Sequence, residues 1–224
     1  MDTYIIANNN LNAFKALNLN DIELIKEDML SSQLPPLKGD LIYIDTSIDS
    51  SLKQSILEKY NLFAQVTTFK KGDKEIKVFS QNIFNGISEY KTTTSGSVAI
   101  DTLSHSTLDV EKVAREAYED TKSFLLNVDY ASMYASSNIW RKVVNNINED
   151  YPNIELMNLS IEDFNIYLNV KSDNIETILV DPYFKNIVQK GLIQNGFLID
   201  NSIFINDVGV KALLYKINWA AKLS

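Results

Sequence analysis

Val128-Asp129-Tyr130-Ala131-Ser132-Met133-Tyr134-Ala135-Ser136-Ser137-Asn138-Ile139-Trp140-Arg141 is the stretch on which the reading of this chain turns. It sets one carboxylate and two tyrosines ahead of a run of small residues that closes on a Trp-Arg pair. From Asn138 to Tyr151 the apolar residues Ile139, Val143 and Ile147 have helical spacing, and Tyr151-Pro152 stops the run, because the residue before a proline is pushed out of the helical region. Trp140 and Tyr151 are expected to pack in the core. Tyr130 reads as an unactivated tyrosine, since the sequence guarantees it no neighbouring cation.

Downstream of that helix, Ile154 to Leu159 predicts a strand, Ile161 to Asn169 a helix, Ile175 to Val180 a buried strand, and Tyr183 to Asn195 a helix ending near Gly196. Ser202 to Ile205 predicts another strand, after which Asn206 to Val210 runs directly into a last helix. Upstream, Leu108 to Leu126 predicts one long helix with Val110, Val113, Ala114, Ala117, Tyr118 and Phe124 near one face, packed on a core or a partner. Tyr90 to Ser106 is polar and β-prone and fits a hairpin or arm turning at Ser95-Gly96. Ala64 to Phe69 and Ile76 to Phe79 predict strands joined by the turn Lys71-Gly72-Asp73-Lys74, and Leu52 to Tyr60 a helix. Thr3 to Ala7 and Gly39 to Asp45 read as strands, and Asp21 to Met29 as a short helix or strand. Strands alternating with helices imply α/β layering and a partly parallel sheet.

The 224 residues and 45% hydrophobic content suffice for a buried core. A net charge of −8 withholds the counterion-release term that favours a phosphate backbone or an anionic membrane, so neither nucleic acid nor membrane is expected as a partner. The absence of cysteine removes disulfides, thiolate nucleophiles and Cys-type zinc sites. The single histidine, His105, lies among Ser and Thr and reads as a solvated turn residue. Met-Asp-Thr-Tyr-Ile-Ile-Ala at the start has no basic n-region, and no segment reaches the length of a transmembrane span, so a cytoplasmic protein is expected.

The central stretch resembles, without a gap, the V-D-K-A-N-V-L-x-S-S-x-L-W-R run of the isocitrate/isopropylmalate dehydrogenase family. Further blocks follow in the family's order. Ile56 to Lys70 is similar to L-R-K-x-L-x-L-[FY]-A-N-L-R-P-V-K, Val110 to Glu119 to I-E-R-I-A-R-x-A-F-E, Tyr151 to Leu168 to Y-P-D-V-x-L followed by V-D and a helix, and Ile175 to Val188 to F-D-V-I-V-T-x-N-L-F-G-D-I-L. The resemblance implies an isopropylmalate dehydrogenase-like α/β/α sandwich with shortened N- and C-terminal parts and a β arm. It divides the chain into residues 1–70, a remnant of the nucleotide-side domain, residues 71–195, the small dimerisation domain, and residues 196–224, a returning strand and helix.

The family's chemistry, as the resemblance implies it, is oxidation of a 2-hydroxy acid by NAD or NADP with loss of the β-carboxylate. That reaction needs arginines for the substrate carboxylates, aspartates for a divalent ion, and a lysine and a tyrosine for proton transfer. At the arginine positions this chain has Leu57 and Thr67. Tyr130 stands at the lysine, Ser132 at the asparagine after it, and the catalytic tyrosine maps to Phe84 or to no residue. The three metal carboxylates become Glu162, Asn186 and Lys190, a change from −3 to one carboxylate plus one ammonium. Two unit charges about 4 Å apart interact by about 4 kcal/mol at an effective dielectric near 20, so an ammonium there would repel a divalent ion by roughly twice that.

Neither the family's G-D-G-I-G-P-E turn nor its H-G-S-A-P-D loop is present, and no other nucleotide fingerprint replaces them. The sequence therefore predicts no cofactor and no metal, in a catalytically inactive relative acting as a homodimer or as a partner of a related dehydrogenase subunit. Its interface is expected in the arm and in the helices around Val113 to Phe124 and Tyr183 to Asn195. A metal-free small-molecule binder using a pocket near Tyr130, Glu162 and Lys190 is the alternative, and an oxidoreductase with altered chemistry is a third.

Overall fold

The computed structural model describes residues 3–7, 22–26, 41–45, 50–82, 90–95, 98–130, 135–171, 174–206 and 211–215. In chain order the elements are β1 (Thr3–Ala7), β2 (Ile22–Lys26), β3 (Leu41–Asp45), α1 (Ser50–Lys59), β4 (Ala64–Lys71), β5 (Lys74–Gln81), β6 (Tyr90–Ser95) and β7 (Val98–Leu103). They continue with α2 (Thr107–Asp120), β8 (Phe124–Asp129), α3 (Ala135–Asn148), β9 (Glu155–Ser160), α4 (Ile161–Lys171), β10 (Thr177–Val180), α5 (Lys185–Gln194), β11 (Leu198–Ile205) and β12 (Lys211–Tyr215). Two compact units result, residues 1–63 with 201–224, and residues 64–200.

In the first unit the strand order is β2-β1-β3-β12-β11. β1 runs parallel to β2 and β3, β12 parallel to β3, and β11 antiparallel to β12. The Asp21 to Met29 segment is thus a strand at Ile22–Lys26, and its β-branched and aliphatic residues suit a parallel sheet. Lys211–Tyr215 is also a strand, which corrects the expectation that the chain passes straight from Val210 into a helix. Its Ala-Leu-Leu-Tyr run has no polar face with which to end an amphipathic helix. It pairs in register with β3 instead.

The second unit has the order β4-β5-β10-β8-β9, with β5, β10, β8 and β9 all parallel. β4 and β5 form an antiparallel hairpin in which Lys71 faces Lys74, leaving the two-residue turn Gly72-Asp73. Gly72 has φ +58, the left-handed conformation a primed hairpin turn requires at its first central position. Because strand side chains alternate between faces, Leu126 and Val128 point one way with Val78, Ile178 and Val180 into a core with Phe164 and Leu168 of α4 and Val188 and Leu192 of α5. Asn127 and Asp129 point the other way, toward α3. With α2 and α3 covering that second face, the unit is the expected α/β/α sandwich.

The long helix expected from Leu108 to Leu126 divides. α2 ends at Asp120, the Thr121 hydroxyl donates to the Ala117 carbonyl at 2.6 Å, and Phe124–Asp129 is a strand with five buried residues. Phe124 therefore lies on the sheet, because a continuous run of bulky apolar residues serves a strand buried on both faces. α3 begins three residues before the expected start, and its buried face is Ser136, Ser137, Trp140, Val144 and Ile147, leaving Ile139 exposed. Trp140 is wholly buried, and Tyr151 stacks on Tyr118 at 4.9 Å between ring centroids. Burial pushes the Tyr118 phenol well above its usual pKa, and its hydroxyl donates to the Val144 carbonyl at 3.3 Å. β6 and β7 form a separate two-stranded hairpin, with Tyr90 opposite Leu103. The Gly96 turn residue lies outside the described residues.

The apolar face of α2 is consumed inside this unit, since Val110, Val113, Ala114 and Ala117 are each 0% exposed. It is a core face, so these four side chains are not offered to a second subunit. Val113→Glu is expected to abolish cooperative unfolding, or to lower stability by more than about 3 kcal/mol, because it buries an unpaired carboxylate. Urea denaturation followed by far-UV circular dichroism checks this, and a stable folded monomer carrying the substitution would contradict it.

Candidate functional site

Two polar clusters lie at the carboxyl ends of β8 and β10, where parallel sheets usually hold their ligands. In the first, Trp140 Nε1 donates to Asn127 Oδ1 at 2.8 Å, and Asn127 Nδ2 donates to Asn158 Oδ1 at 2.8 Å and to Asp129 Oδ2 at 3.1 Å. Asn158 Nδ2 in turn reaches Asn145 Oδ1 at 2.8 Å. Arg141 grips Asp129 with both arms of its fork, Nε to Oδ2 at 2.9 Å and Nη2 to Oδ1. The carboxylate is 0% exposed and the guanidinium side chain 28%, so the pair is sealed on the strand side and opens to solvent on the helix side. Two parallel charge-assisted bonds are the arrangement that compensates a buried carboxylate.

The second cluster corrects the reading of His105 as a solvated residue. Its side chain is 0% exposed, its Nε2 lies 3.1 Å from Asp181 Oδ2, and its ring lies 5.3 Å from Trp140 and 5.5 Å from Tyr183 between centroids. The Ser and Thr neighbours of His105 in the sequence give no sign of this burial, because Asp181, Trp140 and Tyr183 reach it from distant parts of the chain. Asp181 does end a strand, as its sequence position implies, and the Tyr183 N–H donates to its Oδ1 at 3.1 Å. The same carboxylate also ties the segment after β7 to the β10–α5 turn. Tyr183 reinforces that tie, its hydroxyl meeting the Ser104 N–H at 3.3 Å and the Ser104 carbonyl at 3.4 Å. His105 Nδ1 is buried with no partner among the described residues.

Around these clusters the sequence-predicted residues scatter. Tyr130 follows β8, is half-buried and stacks on Phe184, with centroids 5.5 Å apart and planes 20° from parallel. Glu162 is exposed in the first turn of α4, next to Asp163, whose N–H donates to Ser160 Oγ at 3.3 Å while that hydroxyl donates to Asp163 Oδ2 at 2.7 Å. That reciprocal pairing is a helix cap, which settles the Glu162-Asp163 doublet as a helix start. Asn186 and Lys190 are both exposed on α5, four residues apart and so on one face, opposite the buried Val188.

Thr67 is buried on β4, and Gln189 Nε2 donates to its hydroxyl at 3.3 Å. Beside it Lys185 Nζ donates to Gln65 Oε1 at 2.9 Å. Leu57 is buried on α1, in the first unit. Phe84 and Ser132 lie outside the described residues. Among the described residues no three His, Asp or Glu side chains gather to hold a metal ion, and no helix is long and apolar enough to cross a membrane.

Neither cluster was identified in the sequence as a unit. The available signal was the alternation Leu126-Asn127-Val128-Asp129, which sets two polar side chains on one face of a strand whose other face is apolar. The Trp-Arg pair on the following helix supplies a matching donor for each.

No protein-family model matches the chain. It is 25% identical to 3-isopropylmalate dehydrogenase of Staphylococcus epidermidis over 142 residues, 62% of this chain and 37% of that protein. It is 33% identical to 3-isopropylmalate dehydrogenase of Thermotoga maritima over 91 residues, 39% of this chain and 26% of that one. These matches span well under half the length of the curated relatives. The fold is shared with the apo form of a β-decarboxylating dehydrogenase from Thermococcus kodakarensis, at TM-score 0.74 and 15% identity, covering 97% of this chain and 76% of that one.

The Asp129–Arg141 pair makes a direct prediction. Arg141→Met should cost about 3–5 kcal/mol, since it strands a buried carboxylate, whereas Asp129→Asn combined with Arg141→Met should recover a large part of that loss. Chemical denaturation of the wild type, both single variants and the double variant measures the coupling. Equal destabilisation by the single and double variants would show that the charge pair is not what holds α3 to β8.

Proposed function

Taking as premise that the chain is a relative of the isocitrate/isopropylmalate dehydrogenase family, we propose that it is a non-catalytic member whose role is structural or regulatory, as a homodimer or as a partner of a related dehydrogenase subunit. The observation that carries this reading is the outer face of α5, where an amide, Asn186, and an ammonium, Lys190, stand side by side and exposed. With Glu162 they replace the family's three metal carboxylates. One carboxylate, one amide oxygen and one ammonium do not fit a hard divalent cation, which requires several anionic or neutral oxygen ligands.

The other positions support the same reading. Tyr130, at the family's lysine, is held against Phe184, and the Thr67 hydroxyl is taken up by Gln189. Neither those two residues nor the buried Leu57 provides a cation for a substrate carboxylate.

The surface available to a partner lies on α4 and α5. Ile166 and Val170, one turn apart on α4, are 67% and 75% exposed, and Ile187 and Ile193 on α5 are 46% and 48% exposed. Ile166 and Val170, four residues apart and so on one face of α4, offer an apolar strip to a second subunit, and Ile187 and Ile193 add exposed apolar side chains on α5. The β6–β7 hairpin, paired only within itself among the described strands, is a second candidate contact.

With NAD or NADP, Mg²⁺ or Mn²⁺, and isocitrate, isopropylmalate, homoisocitrate, tartrate or malate, no reduced dinucleotide should form above the buffer rate. Metal-dependent turnover that Glu162→Ala abolishes would overturn the proposal. For assembly, sedimentation at tens of micromolar should give a dimer, and Ile166→Glu with Val170→Glu should give a folded monomer. A wild-type chain that is monomeric both alone and in extracts of its source would remove the partner role.

A further inference from the structure

At the opposite end of the same sheet, around the first residues of β8 and β9, lies a cavity of about 480 Å³. Its position separates it from Asp129, Ser160 and Asp181, which sit at the carboxyl ends of those parallel strands. Phe124, Met157 and Tyr167 form an apolar floor, each partly buried and packed against the central core. Lys74, Lys171, Glu155 and Glu176 surround it, two positive and two negative groups.

Glu176, Lys171 and Glu155 differ in what they are committed to. Glu176 braces the wall, accepting from Ser123 Oγ at 3.2 Å and from the Ser123 N–H at 3.4 Å. Lys171 lies with its ammonium 6.0 Å from the centre of the Tyr167 ring, in cation–π range. The Glu155 carboxylate has no hydrogen-bonding partner among the described residues. Burial, and after it the negative charge of Glu155, raises the Tyr167 phenol, which keeps that hydroxyl a donor at neutral pH. The cavity thus offers ammonium and phenol donors, a carboxylate acceptor in Glu155, and a small apolar floor.

We infer that this cavity binds a zwitterionic small molecule, a free α-amino acid with an apolar side chain. Its carboxylate meets Lys171 and the Tyr167 hydroxyl, its ammonium meets Glu155, and its side chain lies on Phe124 and Met157. The charge balance selects this class. Lys171 and Glu155 set opposite charges at one cavity, so a ligand carrying both signs can meet each, whereas a dicarboxylate brings a second negative group toward Glu155. A volume of about 480 Å³ lies within the range of small-molecule sites and exceeds what a single amino acid needs. Site and ligand do not depend on whether the chain is catalytic, because no residue of the cavity belongs to the family's reaction positions.

The test is a thermal melt of the full chain with each of the twenty L-amino acids at 10 mM, alongside isovaleric acid and isobutylamine, which carry only one of the two charges. At ten times a dissociation constant near 1 mM, an apolar amino acid should raise the melting temperature by about 3 °C. The single-charge analogues should raise it by less than about a third as much. Glu155→Gln and Lys171→Met, both at exposed positions, should each weaken binding at least about tenfold by calorimetry while leaving the unliganded melt in place. No stabilisation by any amino acid overturns the inference. So does stabilisation that survives both substitutions, or equal stabilisation by the single-charge analogues.

Discussion

The buried Asp129 carboxylate is the constraint around which the second unit is organised. A charge with 0% exposure at the end of a parallel strand is tolerable only if it is paired and hydrogen-bonded, and Arg141 and Asn127 together meet that condition. Arg141 can do so only if α3 lies across the face of β8 to which odd-numbered side chains point. Trp140 then falls over Asn127, donates to it, and fills the space between sheet and helix. The local sequence, polar at 127 and 129 and apolar at 126 and 128, therefore fixes which face α3 covers and which is left for α4 and α5.

From that fixed point the His105–Asp181 contact follows. Trp140, once buried, presents one wall against which His105 packs, and Tyr183 supplies the other. The β7–α2 junction is held to the β10–α5 turn through a carboxylate that also organises that turn. These are contacts that stabilise a scaffold. His105 Nδ1 lies between the Trp140 and Tyr183 rings and is buried without a partner among the described residues.

Much of the architecture was legible in the sequence, and the failures have a common physical origin. The buried strand expected from Ile175 to Val180 is present at Thr177–Val180, and turns with diagnostic residues, such as Gly72 and Gly196, lie where the pattern placed them. The α2–β8 junction was misread because Thr121-Lys122-Ser123 contains neither glycine nor proline, and the apolar residues of the strand continued the apparent helical stripe. Proximity across distant segments was not legible at all. His105 and Asp181 are 76 residues apart, and nothing within either neighbourhood announces the other. The cavity at the amino ends of β8 and β9 was invisible for the same reason, since its lining is drawn from β5, β8, β9, α4 and the segment after it.

The two ends of the parallel strands carry different kinds of chemistry. At the carboxyl ends the ionic groups are paired with one another, carboxylate to guanidinium and carboxylate to imidazole, so an incoming charged ligand would have to break an existing bond. At the amino ends the charges sit around an open concavity and are only partly committed. A charged ligand is therefore met more readily at the amino ends of β8 and β9, where no carboxylate–guanidinium pair has to be broken first.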